Sequence, residues 1–164
     1  MSTDRIICGI DPGSRTTGYG VIKVQGNRFS LLQYGVVELG DNVDSAEKLG
    51  KLHTSIQDVL RLNKVQEVAI ESPFYGKNAQ SMLKLARAQG VAMAVAALRD
   101  LRVCEYAPMT VKKAVAGQGR AGKEQVARML QHLLPGVQIP RSLDAMDALA
   151  VALCHAIKTN TLGR

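Results

Sequence analysis

The chain lacks the features that would place it among membrane, fibrous or disordered proteins. Its longest apolar run, Val91–Leu98, has 8 residues, whereas a membrane-spanning helix needs about 20. It has no internal repeats, no low-complexity tracts and no linker-like runs of Pro, Gly and Ser. With 164 residues and a hydrophobic fraction of 46%, the composition is typical of one ordinary globular domain.

Cysteine is scarce, and its spacing excludes two further classes. Cys8, Cys104 and Cys154 stand singly inside apolar runs. This spacing matches no zinc-binding motif, and an odd number argues against a disulfide framework. We therefore expect three reduced core cysteines and a reducing cytoplasm as the location. The opening residues turn directly into a strand-like run, so we expect no leader peptide.

Acidic residues are scarce in the middle of the chain. Residues 72–141 carry 11 Lys or Arg and only 3 acids, whereas residues 1–71 carry 8 and 9. A basic segment of this kind is typical of proteins that bind the phosphates of nucleic acids. The alternative is a solvated basic face with no partner.

The hydrophobic pattern predicts an α/β fold built on a mixed sheet. We expect strands over Arg5–Asp11, Gly18–Val24, Arg28–Glu38, Val65–Ile70 and Arg102–Tyr106. We expect helices after a cap at Asp44 or Ser45, from Asn78 to about Asp100, and over Pro108–Ala116, Lys123–Leu134 and Ser142–Ile157. The initial run of three strands argues against a doubly wound dinucleotide-binding fold, which would begin with βαβ.

Four carboxylates stand apart from the other acids. Asp11 and Glu71 each follow an apolar strand. Asp144 and Asp147 lie on one face of an otherwise apolar helix. Because Mg²⁺ prefers hard oxygen ligands, a converging set of carboxylates predicts a divalent-metal site. The alternatives are a turn residue for Asp11, a solvated strand end for Glu71 and a helix cap for Asp144.

The histidines do not complete such a site. His155 lies two helical turns beyond Asp147, about 12 Å along the helix axis, which is too far to share a metal ion. His53 and His132 lie in the middle of predicted helices with no pair of acids beside them. The sequence indicates no Ser-His-Asp or Cys-His arrangement either.

Four segments carry a specific combination of motifs. They are GIDPGSRTTGYGVI at 9–22, AIESPFYGKNAQSMLKLARAQG at 69–90, VKKAV to GRAGKEQV at 111–126, and DAMDALAVALCH at 144–155. In this order and spacing they resemble the RuvC family of bacterial Holliday junction resolvases. The resemblance implies an RNase H-like fold with a mixed five-stranded sheet flanked by helices. We expect one such domain over residues 1–158 and a flexible tail over residues 159–164.

The resemblance also implies an activity and its partners. The expected protein is a homodimer that nicks two opposed strands of a four-way DNA junction during recombination and repair. Hydrolysis would use two Mg²⁺ ions, with Mn²⁺ as a substitute, and would leave a 5′ phosphate and a 3′ hydroxyl. The implied protein partners are the branch-migration proteins RuvA and RuvB. The implied location is the bacterial cytoplasm, at the nucleoid and away from membranes.

By the same resemblance, the four carboxylates are the metal ligands and Lys123 is a further catalytic group. Phe74 corresponds to an aromatic residue that stacks into the junction centre, and Lys112 and Lys123 correspond to lysines that contact phosphate near the cut. We add Tyr75 as a second aromatic residue that stacks on bases. We also expect phosphate contacts from Arg15, Lys77, Lys84, Arg87 and Lys113.

Each of these added contacts has a simpler alternative. The aromatic pair at 74–75 is also compatible with core packing. The cations at Lys77, Lys84 and Arg87 are also compatible with a solvated helix face. Arg15 is also compatible with an ion pair to a nearby acid.

Three other functions stay open at the level of sequence. The segment at 9–22 also resembles the phosphate loop of actin-like and sugar-kinase-like ATPases, although those proteins need a second similar domain. An RNase H-like nuclease that processes ribosomal RNA would use the same fold and carboxylates. A non-catalytic module would bind the junction without cutting it.

Overall fold

The computed structural model describes residues 4–73, 78–136, 138 and 140–161. Within these residues the strands are β1 (Arg5–Asp11), β2 (Thr16–Gln25), β3 (Arg28–Glu38), β4 (Glu67–Glu71) and β5 (Arg102–Tyr106). The helices are α1 (Ser45–Leu62), α2 (Ala79–Ala97), α3 (Pro108–Ala116), α4 (Lys123–Leu133) and α5 (Leu143–Thr161). The predicted α/β class is confirmed.

One mixed sheet connects the described strands in the order β3-β2-β1-β4-β5. The strands β1, β2 and β3 form the expected antiparallel meander. The strands β4 and β5 extend the sheet on the other side of β1 and run parallel to it. The carboxyl ends of β1, β4 and β5 therefore meet at one edge of the sheet.

Helices cover both faces of the sheet. Side chains along β1 alternate between the faces, so Ile7 packs with α3, α4 and α5, while Cys8 and Ile10 pack with α1 and α2. The result is a buried apolar cluster on each side of the sheet. Cys8 and Cys154 are buried as expected, whereas Cys104 is only half-buried, and all three are free thiols. None of the helices in the described residues is both long and apolar enough to cross a bilayer.

Local signals predicted several element ends correctly. Asp44 caps α1 by accepting from the Ala46 amide, and Asn78 caps α2 by accepting from the Ser81 amide. The predicted start of β4 at Val65 is wrong, because the Val65 amide donates to the carbonyl of Leu60 and closes the end of α1. The strand therefore starts at Glu67.

The predicted carboxyl-terminal ends of two helices, α2 and α5, are also wrong. The helix α2 stops at Ala97 rather than near Asp100, which has a positive φ of 56°. The helix α5 continues to Thr161. The predicted flexible tail over residues 159–164 is therefore wrong for 159–161, which are helical, while 162–164 lie outside the described residues.

Two glycines let α5 lie directly against the sheet. A Cβ atom at Gly9 of β1 would overlap the carbonyl of Ala148, and a Cβ atom at Gly18 of β2 would overlap the carbonyl of Asp144. Backbone atoms cannot move aside as a flexible side chain can. The spacing between α5 and the strands thus depends on the absence of side chains at these positions.

We expect Gly9→Ala to lower the stability of the fold by about 1–3 kcal/mol, the usual cost of overpacking. The added methyl group has to push α5 away from β1. Chemical denaturation followed by circular dichroism measures this change. The matched control is Gly50→Ala on α1, where nothing lies within 4 Å of the added atom. Equal stability of the two variants would contradict the close-packing argument.

Candidate active site

Two of the four predicted carboxylates come from neighbouring strand ends. Asp11 is the last residue of β1, and Glu71 is the last residue of β4. These strands are parallel and paired, with Ile10 opposite Ile70. The side chains of Asp11 and Glu71 share a hydrogen bond, so neither is a solvated strand end or a simple turn residue.

The other two carboxylates come from the start of α5. The hydroxyl of Ser142 accepts from the Ala145 amide at 3.4 Å. Ser142 therefore occupies the cap position, and Asp144 is not the helix cap. Asp144 instead accepts a hydrogen bond from the hydroxyl of Thr16 at 2.5 Å. Thr16 was not among the residues predicted from the sequence, because nothing in the local pattern links it to a residue so distant in the chain.

Burial and mutual repulsion raise the pKa values of Asp11, Glu71 and Asp147. Burial raises the pKa of Asp11 to about 9, and the hydrogen bond with Glu71 and the charges of Glu71, Asp147 and Asp144 add to the effect. Burial also raises the pKa of Glu71, helped by Asp147 and opposed by the bond from Asp11. These four residues thus form one electrostatic cluster.

Two of the predicted lysines act on the cluster. Burial and the charge of Asp144 raise the pKa of Asp147, while Lys123 and Lys112 oppose this shift. Lys112 opposes the shift of Glu71 in the same way. Both lysines are solvent-exposed, as is the neighbouring Lys113. Cations that stay in water beside a carboxylate cluster can reach a bound phosphate.

The donor set fits a hard divalent cation. Within the described residues, no group of three or more His, Cys, Asp and Glu side chains is arranged to hold a metal ion by itself. An open set suits Mg²⁺, which is commonly held by one or two carboxylates and completed by waters and substrate phosphates. A cation would also offset the repulsion that raises the pKa values of Asp11, Glu71 and Asp147.

A small cavity opens beside the carboxylates. Its volume is about 170 Å³, and Asp11 and Glu71 line it together with Pro12, Leu85 and other residues at the edge of the sheet. The apolar members of this lining limit the access of water to the two carboxylates. A phosphate group is small enough to approach them from this opening.

A larger groove follows the turn after Asp11. Its volume is about 370 Å³, and its lining includes Arg15, Lys84 and Arg87, three of the predicted phosphate contacts, and also Lys48. Arg15 forms an ion pair with Asp41 at 2.6 Å, which is the simpler alternative raised for it. Lys48 was missed, because a single lysine on an exposed helix carries no signal of its own.

The remaining predicted contacts lie outside the described residues. They are Phe74, Tyr75 and Lys77. They belong to the segment between Pro73 and Asn78, which joins β4 to α2. Their roles stay predictions.

Comparison with known proteins points to one family. The family model for crossover junction endodeoxyribonuclease RuvC matches residues 7–155. The crossover junction endodeoxyribonuclease RuvC of Cytophaga hutchinsonii is 49% identical over 152 residues, which are 93% of this chain and 76% of that protein. The solved structure of Thermus thermophilus RuvC in complex with a Holliday junction substrate is 34% identical, with a TM-score of 0.91 over 96% of both chains. A second structure, of Thermus thermophilus RuvC, has a TM-score of 0.87, 34% identity and coverage of 95% of this chain and 96% of that chain.

We expect Asp11→Asn to raise the melting temperature in the absence of metal ions, and to do so more at pH 8 than at pH 5. The pKa of Asp11 is about 9 in the folded chain, against an ordinary value of 3.8. The stability that this group contributes therefore falls as the pH rises from about 4 towards 9. The neutral Asn side chain has no proton to lose, so the variant does not lose this stability as the pH rises. Each kcal/mol of stability corresponds to a shift of roughly 2–4 °C in the melting temperature.

Thermal unfolding in EDTA at the two pH values measures this difference. The control is Asp58→Asn, an exposed residue of α1 paired with Arg61. A gain for Asp11→Asn that is equal at both pH values would mean that Asp11 does not keep its proton in the folded chain.

Proposed function

The chain belongs to the RuvC family of crossover junction endodeoxyribonucleases, and we propose that it resolves four-way DNA junctions by nicking two opposed strands. Its fold is the RNase H-like fold of that family. The observation that supports the proposal most directly is the electrostatic cluster of Asp11, Glu71, Asp144 and Asp147. Family membership excludes the ATPase alternative. The RNA-processing and non-catalytic alternatives are outcomes of the experiment below.

We propose that the four carboxylates hold two Mg²⁺ ions, which Mn²⁺ can replace. When bound, such ions activate a water molecule and stabilise the leaving 3′ oxygen of the scissile phosphate. The hydrogen bond from Thr16 fixes the orientation of the Asp144 carboxylate in this arrangement. Strand cleavage by attack of water leaves a 5′ phosphate and a 3′ hydroxyl.

The two lysines beside the cluster complete the proposed chemistry. Lys123 begins α4 and Lys112 lies on α3, so two separate helices bring positive charge to the carboxylates. A lysine ammonium can stabilise the additional negative charge that the phosphate carries in the transition state. Lys113, next to Lys112, extends the same basic surface as a phosphate contact.

The groove beside the carboxylates is a suitable path for a DNA strand. The lining of the groove includes Gly13 and Lys84. Gly13 directly follows Pro12 of the smaller cavity, and Lys84 directly precedes Leu85 of that cavity. A strand whose scissile phosphate lies at Asp11 can therefore continue past Lys84 and Arg87. Such contacts neutralise phosphates and make affinity dependent on salt.

Some features of the proposal come from the family resemblance alone. They are the stacking of Phe74 and Tyr75 in the junction centre, the phosphate contact of Lys77, the partnership with RuvA and RuvB, and a location at the bacterial nucleoid. The homodimer belongs with them. Two active sites are needed to nick two opposed strands in one binding event.

One face of α2 is suited to a symmetric contact between two copies. Leu83, Ala86, Gly90, Ala94 and Ala97 follow one another at helical spacing, and all are solvent-exposed. The opposite face of the helix is buried against α1 and the sheet. A self-complementary patch of this kind fits a two-fold axis, because each helix then contacts the same residues of its partner.

We expect a synthetic mobile four-way junction to be cut by paired, symmetric nicks in the presence of Mg²⁺. A linear duplex and an RNA–DNA hybrid should stay intact. Asp11→Asn should lower cleavage by more than about a hundredfold, since loss of a metal ligand costs more than loss of its hydrogen-bond partner. Its junction binding should persist. Strand-labelled substrates on denaturing gels, beside a gel-shift assay, measure both quantities.

Three outcomes would contradict this assignment. Cleavage of the hybrid instead of the junction would support the RNA-processing alternative. Junction binding by the unaltered chain without any cleavage would support the non-catalytic alternative. Normal cleavage by Asp11→Asn would mean that the metal site is misassigned. Asp58→Asn serves again as the charge-matched control.

We expect Gly90→Glu to convert a dimer into monomers without disturbing the helix. Nothing lies within 4 Å of the added Cβ within one copy, but two glutamates would meet near the two-fold axis and repel each other. Light scattering during size-exclusion chromatography gives the mass directly. Gly50→Glu, on the exposed side of α1, is the control. A dimer that survives Gly90→Glu would place the contact elsewhere.

A further inference from the structure

A buried hydrogen-bond network connects β1, β4 and α5 at the ends away from the carboxylates, and it extends to Tyr106 on β5, which pairs with Glu71. Its centre is His155 of α5, which has no solvent exposure. The hydroxyl of Tyr106 lies 2.7 Å from its Nδ1, and the Glu67 carboxylate lies 2.8 Å from its Nε2. Arg5 donates to the second oxygen of Glu67 at 3.0 Å. The proposed catalytic mechanism uses none of these residues.

The contacts assign donors and acceptors along this network. Burial raises the pKa of Tyr106 to about 12, so its hydroxyl keeps the proton that it donates to Nδ1. Burial lowers the pKa of His155, although Glu67 opposes the shift, which favours a neutral ring with its proton on Nε2. The pKa of Glu67 is lowered despite burial, because His155 and Arg5 stabilise its charge.

The network continues into the last turn of α5. Arg5 also donates to the side chains of Thr159 at 3.0 Å and of Asn160 at 2.6 Å. The hydroxyl of Thr159 returns a hydrogen bond to the carbonyl of His155 at 2.7 Å. The single guanidinium of Arg5 therefore ties β1 to β4 and to the carboxyl end of α5.

Each element that carries one of the four carboxylates contributes to this network. Arg5 shares β1 with Asp11, and Glu67 shares β4 with Glu71. His155 shares α5 with Asp144 and Asp147. Tyr106 ends β5, and only Ala107 separates it from α3, which carries Lys112. His155 lies about 12 Å along the helix from Asp147, so the histidine at the centre of the network touches no reacting atom.

Apolar packing holds α5 on the sheet but is not directional. The helix lies against the strands at Gly9 and Gly18, and apolar side chains such as Leu149 at Gly20 pack around these positions. The hydrophobic effect has no preferred direction. Hydrogen bonds restrict both distance and angle. The network is thus a directional contact that opposes sliding of α5 along the sheet, as is the hydrogen bond from Thr16 to Asp144 at the other end of the helix.

We propose that Tyr106, Glu67 and Arg5 act through His155 as positioning residues, which hold Asp144 and Asp147 of α5 in axial register with Asp11 and Glu71. The inference rests on the proposed function, because it assumes that these carboxylates bind the metal ions. A displacement of about 1 Å at a catalytic centre can cost about a hundredfold in rate. A small displacement of α5 should therefore lower kcat at least about tenfold.

The test is Tyr106→Phe, which removes one hydroxyl and leaves Nδ1 of His155 buried without its donor. We expect kcat for junction cleavage to fall at least about tenfold, while the dissociation constant for the junction stays unchanged. We also expect weaker binding of Mn²⁺ to the DNA-free protein, measured by isothermal titration calorimetry. All measurements are made well below the melting temperature of each variant.

The matched control is Tyr19→Phe, which removes a hydroxyl that accepts from Gln33 at 3.3 Å on the other face of the sheet. We expect it to leave kcat and Mn²⁺ binding unchanged. If Tyr106→Phe changes only the melting temperature, as a merely structural residue would, the positioning role is overturned. If the unaltered chain does not cut junctions, the proposed function fails, and Mn²⁺ binding still decides the positioning role.

A second pair of variants tests His155 itself. His155→Gln keeps a donor and an acceptor at the end of the side chain, whereas His155→Leu has neither. We expect Gln to retain more of kcat and of Mn²⁺ binding than Leu does. Equal values for a folded Leu variant and the unaltered chain would overturn the proposal. If the Leu variant does not fold, Tyr106→Phe decides alone.

Discussion

The close approach of α5 to the sheet is the constraint on which the rest of the structure depends. Gly9 and Gly18 carry no side chain at the places where backbone carbonyl groups of α5 lie against β1 and β2. Asp11 lies two residues beyond Gly9, and Asp147 directly precedes Ala148, whose carbonyl meets Gly9. The contact that closes the core therefore also sets the separation of the carboxylates.

The grouping of the carboxylates lowers the stability of the folded chain. Burial, together with the grouping of four carboxylates at one edge of the sheet, raises the pKa of Asp11 to about 9, which makes its charged form costly in the folded chain. The apolar clusters on both faces of the sheet offset this cost. Destabilised groups of this kind are common where a protein has to bind a cation or a charged substrate.

Local chemistry made much of the fold and of the site predictable. Apolar periodicity and caps such as Asp44 and Asn78 depend on residues a few positions apart, and these predictions are confirmed. The four carboxylates were recognisable because acids at strand ends, or within an apolar helix, have few structural uses. The end of α5 was not predictable, because its last turn is held by Arg5 from the other end of the chain.

The candidate residues for the chemistry could be identified from the sequence alone, the carboxylates by their positions at strand ends and on one helix face, and the lysines by the family resemblance. Their partners depend on the tertiary structure. Thr16 meets Asp144 across 128 residues of chain, and Glu67 meets His155 across 88. The fold likewise brings Arg15 to its ion-pair partner Asp41. It also brings Lys48 and Arg87 together in the lining of one groove. Periodicity and spacing are local properties, whereas these contacts depend on the path of the whole chain through the sheet.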